Sequence, residues 1–274
     1  MIRNRLAISQ PLRCILRNAR RSLLSCVINI TGPSRDVYER LVLFDRVMAF
    51  VSACRVPGDY LEFGCYDGGS LASCFEASRR QKTLDSMRFF VFDSFQGLPE
   101  PKGPDANGLL VYKKGDYTCD LDSFKRNLKR QGVDLSHVTC TPGWYNETLN
   151  EELKRRLSIK RAAVILIDCD LYESTVPVLD FIADYIQDGT VLIFDDWFSY
   201  KGRMDCGEAR AFRQWLEKNP AIQATEYYKA GRTVMSFILH VAVNPPHGVR
   251  EGGAVSVAQG VGTKTGEGQE LRRN

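Results

Sequence analysis

Ala224-Thr225-Glu226-Tyr227-Tyr228-Lys229-Ala230-Gly231-Arg232-Thr233-Val234-Met235-Ser236-Phe237-Ile238-Leu239-His240-Val241 is the stretch on which the fold turns. Two runs rich in β-branched and aromatic residues, Ala224–Tyr228 and Thr233–Val241, are joined by a tight Ala230-Gly231-Arg232 connection. Strands linked so closely run antiparallel. Upstream the pattern differs. Short apolar runs at Tyr60–Phe63, Phe89–Phe92, Val138–Thr141, Ala163–Ile167 and Val191–Phe194 are each followed by a helical pattern, as in a parallel sheet covered by helices on both faces. Five parallel strands and a closing hairpin predict an α/β fold with a seven-stranded, mostly parallel sheet, distinct from an all-parallel nucleotide-binding fold.

Before the first strand, Tyr38, Leu41, Val42, Phe44, Val47, Met48 and Val51 recur at helical spacing, and Pro57-Gly58 ends the pattern; a helix is expected over Asp36–Val56. Residues 1–35 form a basic extension, with seven arginines (Arg3, Arg5, Arg13, Arg17, Arg20, Arg21, Arg35) and no acid. Residues 36–242 form the domain. Residues 243–274 turn to Gly, Pro, Thr and Glu with little to bury, so a disordered tail is expected. The formal net charge of +4 is too small to imply a nucleic-acid partner. No stretch reaches the roughly 18 to 20 apolar residues that cross a bilayer. Leu23–Ile30 is too short, and too broken by Ser25 and Asn29, for a signal peptide; it reads as an amphipathic segment that packs on the domain, covers the site or touches an acidic membrane surface weakly. The nine cysteines show neither a CxxC pair nor a Cys/His metal spacing, which favours reduced, mostly buried thiols and a cytoplasmic setting.

The chemistry-bearing residues gather at strand ends. The first strand and its turn read Tyr60-Leu61-Glu62-Phe63-Gly64-Cys65-Tyr66-Asp67-Gly68-Gly69-Ser70-Leu71. Glycines let this turn bend sharply and let the backbone approach a ligand. A carboxylate at Glu62 can take the α-amino group of a methionine moiety, which a dinucleotide site has no reason to want. Asp93, at the end of the second strand and roughly 20 to 30 residues past the glycines, is placed to accept from two ribose hydroxyls. The fourth and fifth strands end Asp168-Cys169-Asp170 and Asp195-Asp196. So many carboxylates on one edge repel one another unless a hard divalent cation such as Mg²⁺ sits among them. The alternative is that Asp168 or Asp195 caps the following helix.

These motifs resemble those of the macrocin O-methyltransferase family over about Gly58 to Pro220. Leu61-Glu62-Phe63-Gly64 with Gly68-Gly69-Ser70 resembles the family's cofactor turn, and Phe92-Asp93-Ser94-Phe95-Gln96-Gly97-Leu98-Pro99 its second-strand signature. Gly143-Trp144-Tyr145-Asn146-Glu147-Thr148-Leu149 and Ile167-Asp168-Cys169-Asp170-Leu171-Tyr172-Glu173-Ser174-Thr175 resemble its third- and fourth-strand exits. The resemblance implies a Rossmann-like class I methyltransferase fold with S-adenosylmethionine as methyl donor. It implies cofactor contacts at Glu62, Gly64, Tyr66, Gly68, Ser70, Asp93, Ser94, Gly143 and Trp144, and metal ligands at Asp168, Asp195 and Asp196. The sequence departs from the macrolide enzymes after Asp196, where Trp197-Phe198-Ser199-Tyr200 leads to Gly207-Glu208-Ala209-Arg210. Its histidines, His137, His240 and His247, lie elsewhere.

The expected reaction is therefore metal-assisted O-methylation of a hydroxyl on a sugar-containing small molecule or glycan precursor, with Asp168 or Asp170 accepting the proton. Residues Gln96–Tyr117 are expected to act as a lid, and the chain to form a homo-oligomer. A nicotinamide oxidoreductase would use the same glycine turn and Asp93; a non-catalytic nucleotide-binding module would keep the fold without turnover. The hairpin and the aspartate cluster disfavour the first, and the intact set of carboxylates the second.

Overall fold

A computed structural model describes residues 32–107 and 112–242. The basic extension up to residue 31 and the tail from 243, a separate unit of the chain, lie outside the described residues, as does 108–111 within the expected lid. In chain order the elements are α1 (Gly32–Ala53), β1 (Asp59–Phe63), α2 (Gly69–Arg79), β2 (Phe89–Asp93), α3 (Leu121–Arg130), β3 (Val138–Pro142), α4 (Tyr145–Thr148), α5 (Glu151–Leu157), β4 (Ala162–Ile167), α6 (Tyr172–Ile182), β5 (Val191–Phe194), α7 (Gly207–Lys218), β6 (Ile222–Ala230) and β7 (Val234–Val241). The seven strands lie in the order β3-β2-β1-β4-β5-β7-β6. Those from β1 to β5 are parallel, and β7 runs antiparallel to both β5 and β6, as the hairpin reading requires.

β1, β4 and β5 are buried along their whole length, because helices cover both faces of a parallel sheet. Alternate residues of each strand enter different cores. Tyr60, Phe89, Val91, Val164, Leu166 and Ile193 pack under α1, α2 and α3. Leu61, Phe63, Phe92, Ile165, Ile167 and Phe194 pack against α5, α6 and α7. This period of two also assigns Glu62 to the α1/α2 face, with Tyr60.

α1 begins somewhat before the predicted helix and ends short of Pro57. Its stripe of Leu43, Phe44, Val47, Met48 and Val51 is almost wholly inaccessible, which fixes the helix across one face of the sheet. Gly58, at φ +132°, lets the chain enter β1 where a Cβ would stand 2.5 Å from the carbonyl oxygen of Arg161. The order reverses between β1 and β4, and the carboxyl ends on either side of such a switch point frame a crevice. No described helix is long and apolar enough to cross a membrane. The cysteines among the described residues are all free thiols.

Candidate active site

The exits of β1 to β5 border one cavity of about 540 Å³. Its first wall is the glycine turn. Gly64 donates its N–H to the carbonyl of Phe92 at 2.9 Å and has φ +83°. A Cβ on Gly64 would overlap the carbonyl oxygen of Asp168, and one on Gly68 would lie 2.7 Å from Leu128 Cδ2. Close packing of the protein's own chain is thus a further reason for glycine at these positions: β1 and β4 press together at Gly64, and α3 packs on the start of α2 at Gly68. Gly64 and Tyr66 line the cavity, whereas Glu62, Gly68 and Ser70 lie outside its wall.

Glu62 is fully buried on the α1/α2 face; Tyr60 donates its hydroxyl to Oε2 at 2.6 Å, and Oε1 has no partner among the described residues. Burial pushes its carboxyl up to about 8, opposed by the Tyr60 hydrogen bond and reinforced by Asp93 and Asp195.

Asp93 ties the second wall to the first. Its Oδ2 accepts from the Cys65 N–H at 2.8 Å and its Oδ1 from the Phe95 N–H at 2.6 Å. Ser94 accepts from the Gln96 N–H and donates to the Gly97 carbonyl, closing a turn at the start of the long loop. Gly143 donates to the Asp93 carbonyl at 2.9 Å, and Trp144 precedes α4; both line the cavity with Asp93 and Ser94.

Carboxylates dominate the far wall. Asp168, Asp195 and Asp196 each offer a carboxylate oxygen, and these atoms all lie within 4.8 Å of one another. β4 and β5 are neighbours in register up to Ile167 and Phe194, which is why the residues that follow them meet. Burial raises the Asp168 carboxyl well above its usual range, and Asp195, Asp196 and Asp170 raise it further. Asp170, at φ +60°, is raised by burial and then by Asp196. The helices that follow do not use these groups as caps: the cap positions of α6 and α7 are Leu171 and Cys206, and neither makes a side-chain cap bond. The helix-capping alternative therefore falls.

Several residues that sequence reasoning did not single out complete the site. Arg40, from α1, donates to Asp195 Oδ2 at 2.7 Å. Tyr112 and Ser199 donate to Asp196 Oδ1 at 3.1 and 2.6 Å. Asp105, buried in the loop after β2, accepts from the N–H groups of Tyr172 at 2.6 Å and Gly207 at 3.0 Å, so it occupies the helix N-termini expected to hold the cluster aspartates. Tyr117, half-exposed at the cavity edge, meets Tyr66 edge-on at 5.7 Å between ring centroids. Arg40 had a legible signal: it stands four residues before Phe44 and continues the apolar stripe of α1, where a charge needs a partner. Asp105 and Tyr112 had none, since their partners lie far along the chain.

A seven-stranded sheet in this order, ending in the antiparallel β5-β7-β6 arrangement, is the class I methyltransferase architecture. The macrocin-O-methyltransferase (TylF) family model matches residues 36–224, and the chain belongs to that family. It is 34% identical over 152 residues to the 8-demethyl-8-(2,3-dimethoxy-alpha-L-rhamnosyl)-tetracenomycin-C 4'-O-methyltransferase of Streptomyces olivaceus, covering 54% of this chain and 56% of that enzyme. To the mycinamicin III 3''-O-methyltransferase of Micromonospora griseorubida it is 31% identical over 150 residues, covering 52% and 56%. The chain thus spans about half the length of these relatives. Among solved structures the O-methyltransferase NovP shares the fold with a TM-score of 0.61 at 23% identity, over 73% of this chain and 79% of that one.

Proposed function

We propose that this chain transfers the methyl group of S-adenosylmethionine to a hydroxyl of a sugar-containing small molecule or glycan precursor. In this reading a divalent cation, Mg²⁺ or a similar ion, is held by Asp168, Asp195 and Asp196. The observation that carries it is the gathering of three carboxylate oxygens within 4.8 Å on the wall of the cavity that Gly64, Asp93 and Gly143 also line. The donor set is all oxygen, which suits a hard cation, and such an ion offsets both the burial and the repulsion that raise the Asp168 carboxyl. The sugar acceptor is supported by the rhamnosyl group in the name of the Streptomyces relative.

The chain's own residues divide the work. Asp93 and the first residues of the glycine turn, Gly64 to Tyr66, form the cofactor side of the cavity, and Glu62 lies behind it with an oxygen that has no partner among the described residues. Tyr112 and Ser199 orient Asp196, while Arg40 restrains Asp195. Asp170, beside Asp196, accepts the proton of the acceptor hydroxyl; Asp168 is the second candidate for that step. A bound cation supplies Lewis-acid polarisation of an oxygen. Alignment of acceptor oxygen, methyl and sulfur accounts for much of the remaining acceleration, since the sulfonium is already reactive.

The test is methyl transfer from labelled S-adenosylmethionine to a panel of nucleotide sugars and glycans, with and without chelator, alongside calorimetry with S-adenosylmethionine and with NAD. Transfer that a chelator stops and Mg²⁺ restores supports the reading. Full transfer in excess chelator overturns the metal role, and binding of NAD in place of S-adenosylmethionine overturns the reaction class.

A further inference from the structure

Glu208 lies in the first turn of α7, wholly buried and outside the cavity wall. One of its carboxylate oxygens accepts from the N–H of Cys169 at 3.2 Å, and the other accepts from the N–H of Asp196 at 2.9 Å. Cys169 follows Asp168, and Asp196 follows Asp195. The ladder between β4 and β5 ends just before this point, with the Asp195 N–H on the carbonyl of Ile167 at 3.0 Å. Glu208 continues the cross-link where the strands themselves have stopped.

We propose that Glu208 is a positioning residue for the metal-binding carboxylates: by joining the exits of β4 and β5 through one side chain, it sets the separation of Asp168 from Asp195 and Asp196. This rests on the metal reading proposed above. The local structure holds Glu208 to that task. Gly207 takes φ +50°, and a Cβ there would stand 2.5 Å from the Tyr200 ring and 3.2 Å from the carbonyl oxygen of Asp170, so the start of α7 is pressed against the loop that follows β4. Phe212 and Trp215, one and two turns on, anchor the same face of the helix in the core. Glu208 is thus an acid on an apolar stripe, at the end of a helix that favours negative charge, with a backbone donor on each oxygen.

Only a group that accepts at both oxygens can do this. Glutamine fills the same volume but turns an N–H₂ toward one of the two amides, and aspartate is one methylene too short to span them. The test compares the full chain with its Glu208→Gln and Glu208→Asp variants by Mn²⁺ titration, reading free Mn²⁺ by electron paramagnetic resonance, and by S-adenosylmethionine calorimetry. Groups that orient ligating side chains are worth about 10- to 100-fold in metal affinity. A loss of that size in Glu208→Gln, with S-adenosylmethionine affinity unchanged, is the expected result. Glu208→Asp carries the same comparison if the glutamine variant fails to fold. A folded variant that binds Mn²⁺ as the wild type does overturns the inference, as does a parallel loss of both affinities, which would mark a general structural role. Wild-type protein that takes up no Mn²⁺ fells the metal reading itself, and the inference with it.

Discussion

Arg40 donates from Nη2 to Asp195 Oδ2 at 2.7 Å, joining residues 155 positions apart in the chain. It brings the helix that precedes the sheet to the carboxylates at its far edge. Among the described residues, this is the ion pair that the cluster of Asp168, Asp195 and Asp196 makes. Removing the guanidinium leaves Asp195 without its counter-charge and frees an oxygen for a cation. Arg40→Ala should therefore bind Mn²⁺ more tightly than the wild type while melting at a lower temperature in chelator. Breaking a fully buried pair costs about 3–5 kcal/mol; the Arg40 side chain is 36% exposed, so the loss should be smaller. Weaker Mn²⁺ binding in the variant would show that Arg40 supports the cation and does not compete with it.

Asp195→Asn and Asp196→Asn separate charge from shape. Each keeps an oxygen acceptor, for Arg40 in one case and for Tyr112 and Ser199 in the other, and each relieves repulsion within the cluster. The Asp196 carboxylate meets no cation among the described residues, so Asp196→Asn should match or exceed wild-type stability in chelator, whereas Asp195→Asn also gives up the charge that Arg40 meets and should fall short of it. Both should lose methyl transfer and Mn²⁺ binding yet keep S-adenosylmethionine affinity. A variant that is less stable and still active would reverse the assignment.

Glu62 makes stability depend on pH with a definite sign. In the folded chain burial lifts its carboxyl from 4.5 to about 8, so the folded state holds a proton that the unfolded state has released. The stabilisation is complete below 4.5 and is lost as pH rises through about 8, at up to about 1.4 kcal/mol per pH unit for one proton. Glu62→Gln retains an acceptor for the Tyr60 hydroxyl and removes the titration. Denaturation measured from pH 5 to 9 in chelator should show a slope shallower by about one proton's worth. Other carboxyls raised by burial, Asp168 and Asp170 among them, add to the slope in the same direction. An unchanged slope would mean that Glu62 is ionised in the folded protein.

Gly64→Ala tests why the glycine turn needs its first glycine. At φ +83°, with a Cβ overlapping the Asp168 carbonyl oxygen, the substitution strains the backbone and forces β1 and β4 apart. Conformational strain alone costs about 1–3 kcal/mol, before the overlap is counted. The variant should unfold at lower denaturant and bind Mn²⁺ less well, because Asp168 shifts with its carbonyl. Wild-type stability with impaired cofactor binding alone would return Gly64 to the role inferred from sequence.

Sequence by itself determined the alternation of strand and helix, the antiparallel hairpin and the placement of Asp93, Asp168, Asp170, Asp195 and Asp196 at strand ends. These follow from near-neighbour physics: a period of two or 3.6, a turn that only short or flexible residues close, and polar groups where an apolar run stops. Tertiary structure alone decided the partners. The adjacency of β4 and β5 gathers three of the aspartates, and the two-residue period turns Glu62 away under α1. Arg40 lies within α1, Asp105 in a loop and Glu208 in the first turn of α7, and each finds its acceptor or donor on a different element or loop, between 12 and 155 residues away. A buried charge must have a partner, so its presence on an apolar stripe is visible in the sequence. Which group it meets depends on how α1 and α7 settle across the sheet, and that is fixed only when both cores are packed.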